Sequence, residues 1–468
     1  MSAAALDLEI SRAWLVDPAI GREGAGEIVV RGGVLEAVTW LDGAEADGIG
    51  PDGVVVAPGF IDLHVHLREP GNEDAETVAT GLAAAAHGGF TTVCSMPNTE
   101  PALDEPSVLT RIRLAAAASG SPIELLAHGA VTAGRAGERL AALGELADAG
   151  VVGFSDDGLP TRSAPILRAA LAYAGALGLP IFEHAEDASL TEGAEANEGY
   201  VSTVLGLRGW PVAAEFAAVS RALALLADAR TDVPGARLHL THVSTGVSLD
   251  LIRLAKGRGL PVTCDVTPHH IAFSDEWVAG ARRWAWDAID EHGFARDPWS
   301  DGALVAAPYA SSVRVNPPLR CAEDAVACLA ALADGTADAV ATDHAPHREV
   351  DKNVEFGTAV NGISGLETAL GVLLAAVDAG RLPLLRAIEA LTTGPAAVLG
   401  SRMRRGSVGL VEGVPADLVV FDRSDPWAVT AEGLASRGKN TPLLGMDLPG
   451  RVLMTLAGGR LAYEAPDS

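Results

Sequence analysis

A closed parallel (β/α)8 barrel, accompanied by a small β-sandwich built from both chain termini, is the α/β fold this sequence predicts. Three observations lead there. Eight β-type runs alternate with Ala- and Leu-rich segments of helical period between residues 54 and 379, the pattern of repeated β/α units. Several of those runs end in a residue able to bind a metal, at the end where a parallel barrel carries its chemistry. Outside the alternating part, the chain reads as short β stretches separated by turns.

The elements follow in order. Residues 6–15, 27–30, 35–39 and 53–56 are β-type and lack a helical period. The eight barrel runs lie at 54–67, 90–97, 123–129, 151–156, 180–185, 237–243, 261–268 and 337–343. Helices are expected at 75–87, 105–118, 138–148, 164–177, 212–229, 246–257, 321–333 and 364–379, with another over 383–398. After Gly400, β character returns at 418–421, 451–456 and 460–463. Residues 1–57 and 401–468 are therefore the two parts of the sandwich, and 58–400 the barrel. An insertion at 275–312, between the seventh and eighth strands, holds Trp277, Trp284, Trp286 and Trp299, half of the eight tryptophans. It reads as a hydrophobic flap with its own small core on the catalytic side of the barrel; a lid or subunit contact is the alternative.

Composition narrows the function. Hydrophobic residues make up 49% of the 468, enough for a large core. The net charge of −27, with lysine only at Lys256, Lys352 and Lys439, argues against nucleic-acid and anionic-membrane partners. An anionic substrate needs a local exception. Cys94, Cys264, Cys321 and Cys328 form no CxxC pair and read as reduced thiols. No signal peptide and no apolar stretch of membrane-spanning length is seen, so the expected location is the cytoplasm.

In the first run, strand alternation puts His64 and His66 on one face. Later runs end in Asp156, His184, His242 and Asp343. A hydrolytic pair of divalent ions needs about six nitrogen and oxygen ligands with room left for water. His64, His66 and Asp343 are assigned to one ion, and His184 and His242 to the other. The fourth run must supply the bridge. A carbamylated lysine is ruled out, because no lysine precedes Lys256. Asp156, sharing parity with Phe154 and Val152, is favoured, and Asp157 is the runner-up. Two cations sharing a water supply hydroxide near neutral pH, and Asp343 is placed as general base and acid for the proton. Arg68, two residues beyond His66, points a forked cation toward the mouth and can grip a carboxylate; a solvated loop arginine is the other reading. Asn98, Asn316 and His347 are further polar residues on that side. Of the other histidines, His239 should face the helices, His87 ends a helix, and His128, His269, His270 and His344 should support the ligands from behind.

These motifs together resemble the bacterial dihydroorotases of the amidohydrolase superfamily, of the longer type in which aspartate replaces the bridging lysine. The resemblance rests on Asp62-Leu-His-Val-His-Leu-Arg-Glu-Pro-Gly71, Ser95-Met-Pro-Asn-Thr99, Phe154-Ser-Asp-Asp-Gly158, Glu183-His-Ala-Glu-Asp187, His242-Val-Ser244, Thr267-Pro-His-His270, Val315-Asn-Pro-Pro-Leu-Arg320 and Ala341-Thr-Asp-His-Ala-Pro-His347. It continues through Asn361-Gly-Ile-Ser-Gly-Leu-Glu-Thr368 and Asn440-Thr-Pro442, and spares only the Trp-rich insertion. It implies reversible closure of N-carbamoyl-L-aspartate to L-dihydroorotate in pyrimidine synthesis, with zinc the usual metal. It also implies that Arg68, Asn98 and His347 hold the substrate carboxylate while Asn316 and Gly362 touch the ring. A homodimer and association with aspartate transcarbamoylase are compatible with it. Two rival readings are another cyclic amidase, of hydantoinase or allantoinase type, and an inactive partner subunit of aspartate transcarbamoylase. The first usually keeps the bridging lysine, and the second typically loses metal histidines.

Overall fold

Among the described residues, 6–403 and 408–466 of a computed structural model, eight parallel strands close into a barrel. They are Phe60–Val65, Phe90–Ser95, Glu124–Ala127, Phe154–Ser155, Ile181–Glu183, Leu238–Leu240, Val262–Val266 and Ala339–Val340. The ring is completed by the parallel bridge between Val65 and His344 and by the His66 amide, which donates to the His344 carbonyl at 2.8 Å. Ile61, Leu63, Cys94, Leu126, Val152, Phe182, Ala339 and Ala341 fill the interior as one buried cluster. Val65, Phe90, Phe154, Leu238 and Leu240 point the other way, into the large core beneath the helices. Each such side chain, fully buried, stabilises by roughly 1.5–3 kcal/mol.

The helices start and stop where their chemistry directs. Val78–His87 opens on a capping box between Thr77 and Thr80, which satisfies amides that the first turn leaves unpaired. The segment 383–398, expected to be one helix, is two: Leu384–Leu391 and Thr393–Leu399 meet at Thr392, whose φ of −130° and ψ of −88° are not helical.

Strands from both chain ends form one seven-stranded sheet, in the order Arg460–Glu464, Arg451–Ala457, Leu418–Asp422, Val54–Pro58, Leu8–Asp17, Arg22–Arg31 and Val34–Trp40. Its own apolar cluster includes Leu15, Ile28, Leu35, Val56, Leu418 and Leu456. The run 54–67 thus serves two bodies. Val54–Pro58 pairs with Leu418–Asp422 in this sheet, and Phe60–Val65 enters the barrel. Gly59 makes the crossing, where a Cβ would lie 2.2 Å from the Thr91 side chain.

The Trp-rich insertion does not keep a core to itself. Trp277 and Trp286 belong to the main core cluster, and the rings of Phe273, Trp277, Trp284 and Trp286 pack in series at 4.3–6.0 Å. Cys94, Cys264, Cys321 and Cys328 are free thiols. Among the described residues no helix is long and apolar enough to cross a membrane.

Candidate metal centre and substrate cavity

Six buried side chains converge at the carboxyl ends of the strands: His64, His66, Asp157, His184, His242 and Asp343. Asp157 stands at the middle. Its Oδ2 lies 3.0 Å from His64 Nε2 and 3.5 Å from His66 Nε2, while its Oδ1 lies 3.2 Å from His242 Nε2 and 3.4 Å from His184 Nδ1. Asp343 joins the first group, with Oδ1 3.0 Å from His66 Nε2 and 3.4 Å from His64 Nε2.

This donor set fits a pair of divalent ions. Metal–nitrogen and metal–oxygen bonds of about 2.0–2.2 Å around a tetrahedral ion put neighbouring ligand atoms roughly 3.3–3.6 Å apart. The spacing here matches, and the two groups that could each hold an ion share Asp157. His64 Nε2 faces His66 Nε2 at 3.2 Å, and His184 Nδ1 faces His242 Nε2 at 3.1 Å. Paired ring nitrogens of this kind direct lone pairs at common points. The electrostatics agree. Burial opposes ionisation of Asp157 and Asp343, but the facing imidazoles, His64 foremost, hold both carboxyls well below their ordinary range. Burial would likewise lower His64 and His184, yet Asp157 and its neighbours push them up to about 9 and about 10. The cluster therefore draws positive charge into a buried place.

Asp156 is not in this cluster. Its Oδ1 accepts from the amides of Val131 and Thr132 at 3.0 Å each, and its Oδ2 accepts from Thr132 Oγ1 at 2.5 Å. The expectation for Asp156 fails because parity along the fourth run is not continuous. Phe154 packs outward in the main core although Val152 faces the interior, and a Cβ on Gly153 would lie 2.6 Å from the Phe182 ring. From Phe154 onward the even positions look out, so Asp156 does too and Asp157 looks in. Arg135 secures the turn by donating to the carbonyls of Asp156 and Asp157.

His239 also departs from expectation. It is buried inside the barrel, with its ring centroid 4.8 Å from that of Phe182 and Nε2 2.8 Å from Asp265 Oδ2. Its neighbours Leu238 and Leu240 are the residues that face the helices. His242 lies beyond that strand with φ at 38°, so strand parity does not reach it. Asp343 and Arg68 also have positive φ, at 48° and 59°. Such backbone costs about 1–3 kcal/mol per residue and persists only where surroundings enforce it. Asp265 supplies one restraint, accepting from the His242 amide at 2.6 Å, and Asp62 supplies another, accepting from the amide of Thr342, next to Asp343, at 3.1 Å.

A cavity of about 180 Å³ opens above the cluster and is lined by Arg68, Asn98, Asn316, His347, Asn361 and Gly362 as well as by His66, Asp157, His184, His242 and Asp343. The rim is cationic on one side. Arg68 Nη2 stands 3.2 Å from His347 Nε2, and that nitrogen donates to the Asn361 carbonyl at 2.7 Å. Burial and the adjacent Arg68 push His347 down to about 3, keeping it neutral and able to donate. Asn98 Oδ1 lies 2.9 Å from His66 Nδ1 and orients that ring. Asn316 Nδ2 donates at 3.1 Å to Glu186, whose carboxylate also lies 3.0 Å from His184 Nε2. Glu186, Arg135, Asp62 and Asp265 escaped the sequence reading. Asp62 and Glu186 carried a local signal, standing in the quoted motifs two residues from His64 and His184. Of the histidines expected to support the ligands, His270 Nε2 donates to the Pro317 carbonyl at 3.0 Å and His344 lies 3.5 Å from Glu76, contacts that do not reach a ligand side chain.

Residues 53–248 match the family model described as "Dihydro-orotase-like". A protein named "Dihydroorotase" from Anaeromyxobacter dehalogenans (strain 2CP-1 / ATCC BAA-258) is 45% identical over 452 residues, covering 96% of each chain. The chain belongs to the dihydroorotase family. Another relative with the same name, from Pelotomaculum thermopropionicum, is 41% identical and covers 98% of this chain and 99% of its own. Among solved structures, the L-hydantoinase of Arthrobacter aurescens is similar with a TM-score of 0.77 at 24% identity, over 98% of this chain and 96% of its own. That likeness establishes the barrel fold alone. The dihydroorotase family membership rests on the sequence relatives.

Proposed function

We propose that this protein interconverts L-dihydroorotate and N-carbamoyl-L-aspartate, using two zinc ions held by His64, His66, Asp157, His184, His242 and Asp343. The observation that carries the reading is Asp157, with one oxygen on each histidine pair, set beneath a rim where Arg68 and His347 face the same cavity. Bound metals would supply Lewis acidity and an activated water. Hydrolysis adds water to the ring carbonyl, breaks the ring C–N bond and leaves one proton to be delivered to the departing nitrogen. Asp343, held ionised and lining the cavity, accepts that proton from the attacking water and returns it to nitrogen. Closure runs the same transfers backwards.

Arg68, with its guanidinium fork, holds the substrate carboxylate, and neutral His347 joins it by turning its one N–H from the Asn361 carbonyl to the substrate. Asn98 assists from beside His66, while Asn316 and Gly362 contact the ring. The reading places the protein in cytoplasmic pyrimidine biosynthesis, as a homodimer able to associate with aspartate transcarbamoylase. The decisive experiment is an assay of the purified chain alone for dihydroorotate hydrolysis, with metal content measured on the same sample. Turnover with about two zinc ions per chain is expected. A metal-loaded chain inert toward dihydroorotate, or one preferring neutral hydantoins, would refute the assignment.

A further inference from the structure

We propose that Lys352 is a positioning residue for substrate binding: its ammonium gathers three backbone carbonyls and so holds the Asn361-Gly362 rim against the cavity. The inference rests on the proposed reaction and names a residue outside the metal cluster and the carboxylate clamp.

In a chain with three lysines, this one is 6% exposed. Nζ donates to the carbonyls of Val360 at 2.9 Å, Gly362 at 3.0 Å and Arg314 at 3.2 Å. An ammonium has three donors, and all three are used. The acceptors come from two segments, one leaving the Trp-rich insertion and one ending the loop after the eighth strand. Lys352 therefore ties its own loop shut and fastens it to the insertion. Ser311 adds to the junction by donating to the Lys352 carbonyl.

What Lys352 holds is the wall of the cavity. The Gly362 amide donates to Arg314 O at 2.9 Å, Arg314 Nε donates to Asn361 Oδ1 at 3.0 Å, and the Asn361 carbonyl accepts from His347 at 2.7 Å. A shift of residues 360–362 would therefore displace His347 as well. Apolar burial anchors the loop at Phe356, which joins the main core, and at Ala359. Val350 and Val354 are exposed, and Phe356 is the buried aromatic between them and the rim. Removing the ammonium leaves the Val360 carbonyl without this donor, whereas that of Arg314 keeps the Gly362 amide and that of Gly362 keeps Asn440 Nδ2; a carbonyl left unpaired in a dry place is costly. The loop can escape that cost by opening to water, which moves the rim.

The test compares wild type with Lys352→Met, which keeps the stem and removes the donors, and with Lys352→Gln, which keeps two donors on a shorter stem. KM and kcat for dihydroorotate, bound metal, and amide hydrogen exchange over residues 353–362 are measured on each. The Met variant should raise KM at least fivefold with kcat reduced less than twofold, metal content unchanged and faster exchange confined to that loop. The Gln variant should fall between, and it decides the matter if the Met variant does not fold. Unchanged KM, or loss of kcat and metal together, would overturn the assignment. If wild type itself does not turn over dihydroorotate, the proposed reaction falls, whereas the exchange comparison still reports whether Lys352 holds the loop.

Discussion

The floor of the cavity is set by strand ends whose backbones are locked into the barrel ladder, whereas the rim is assembled from loops held by side-chain bonds to carbonyls. On the floor, Asp62 and Asp265 grip the amides of His64 and His242 from within the barrel. On the rim, Arg68 Nε donates to the Pro346 carbonyl at 3.2 Å, Asn440 Nδ2 donates to the carbonyls of Ala345 and Gly362 at 3.0 Å each, and Lys352 gathers those of Val360 and Arg314 together with that same Gly362 carbonyl. The contrast separates two tasks. A rigid floor fixes donor atoms to the few tenths of an ångström that metal binding demands, while a rim of replaceable polar bonds can be tuned to the substrate.

Changes on the floor should remove chemistry outright. Asp157→Ala should lose both metals and at least about a thousandfold in kcat/KM, since the carboxylate serves both sites and the activated water depends on them. Asp156→Ala should retain metal and most activity while losing about 1–3 kcal/mol of stability, from the stranded amides of Val131 and Thr132. Metal analysis with denaturant unfolding distinguishes the two, and metal loss in the Asp156 variant would return the bridge to that residue. Asp343→Ala should lower kcat by about a hundredfold to ten-thousandfold with the fold intact by circular dichroism. Near-wild-type turnover would end its role in proton transfer.

On the rim the loss should be one of affinity. Arg68→Ala should cost about 2 kcal/mol of binding, roughly thirtyfold in KM, for dihydroorotate and much less for neutral dihydrouracil. Equal losses on both would reject a carboxylate clamp. Gly362→Ala should raise KM less steeply. Its φ of 141° suits glycine, and a Cβ there would lie 2.7 Å from that of Ala345 and 2.9 Å from His347 Nε2. Steady-state kinetics with unchanged metal content would locate that effect on the rim.

The smallest effect concerns the insertion behind the rim. Burial pushes Asp275 up to about 7 from an ordinary 3.8, with Asn197 donating to it at 3.0 Å. The folded chain therefore holds that proton more tightly than the unfolded one, so stability is present below about pH 4 and is lost as pH rises toward about 7. Asp275→Asn should flatten this part of the stability profile, as followed by urea unfolding at several pH values. An identical slope in both proteins would assign the dependence elsewhere.

The sequence by itself determined the alternation of strands and helices, the return of β character after Gly400, and the strand-end position of His64, His66, His184, His242 and Asp343. Each of these depends on local period or on a ligand type recurring at the end of an apolar run, and both survive in one dimension. Tertiary structure decided between Asp156 and Asp157, turned His239 inward, and split the run 54–67 between two sheets. Those outcomes depend on side-chain parity at strand ends and crossings, where the Phe182 ring against Gly153 or Thr91 against Gly59 comes from a different part of the chain. The positioning roles of Asp62, Asp265, Arg135 and Lys352 were hidden for the same physical reason. Their partners are backbone amides and carbonyls, which every residue carries and no sequence pattern marks.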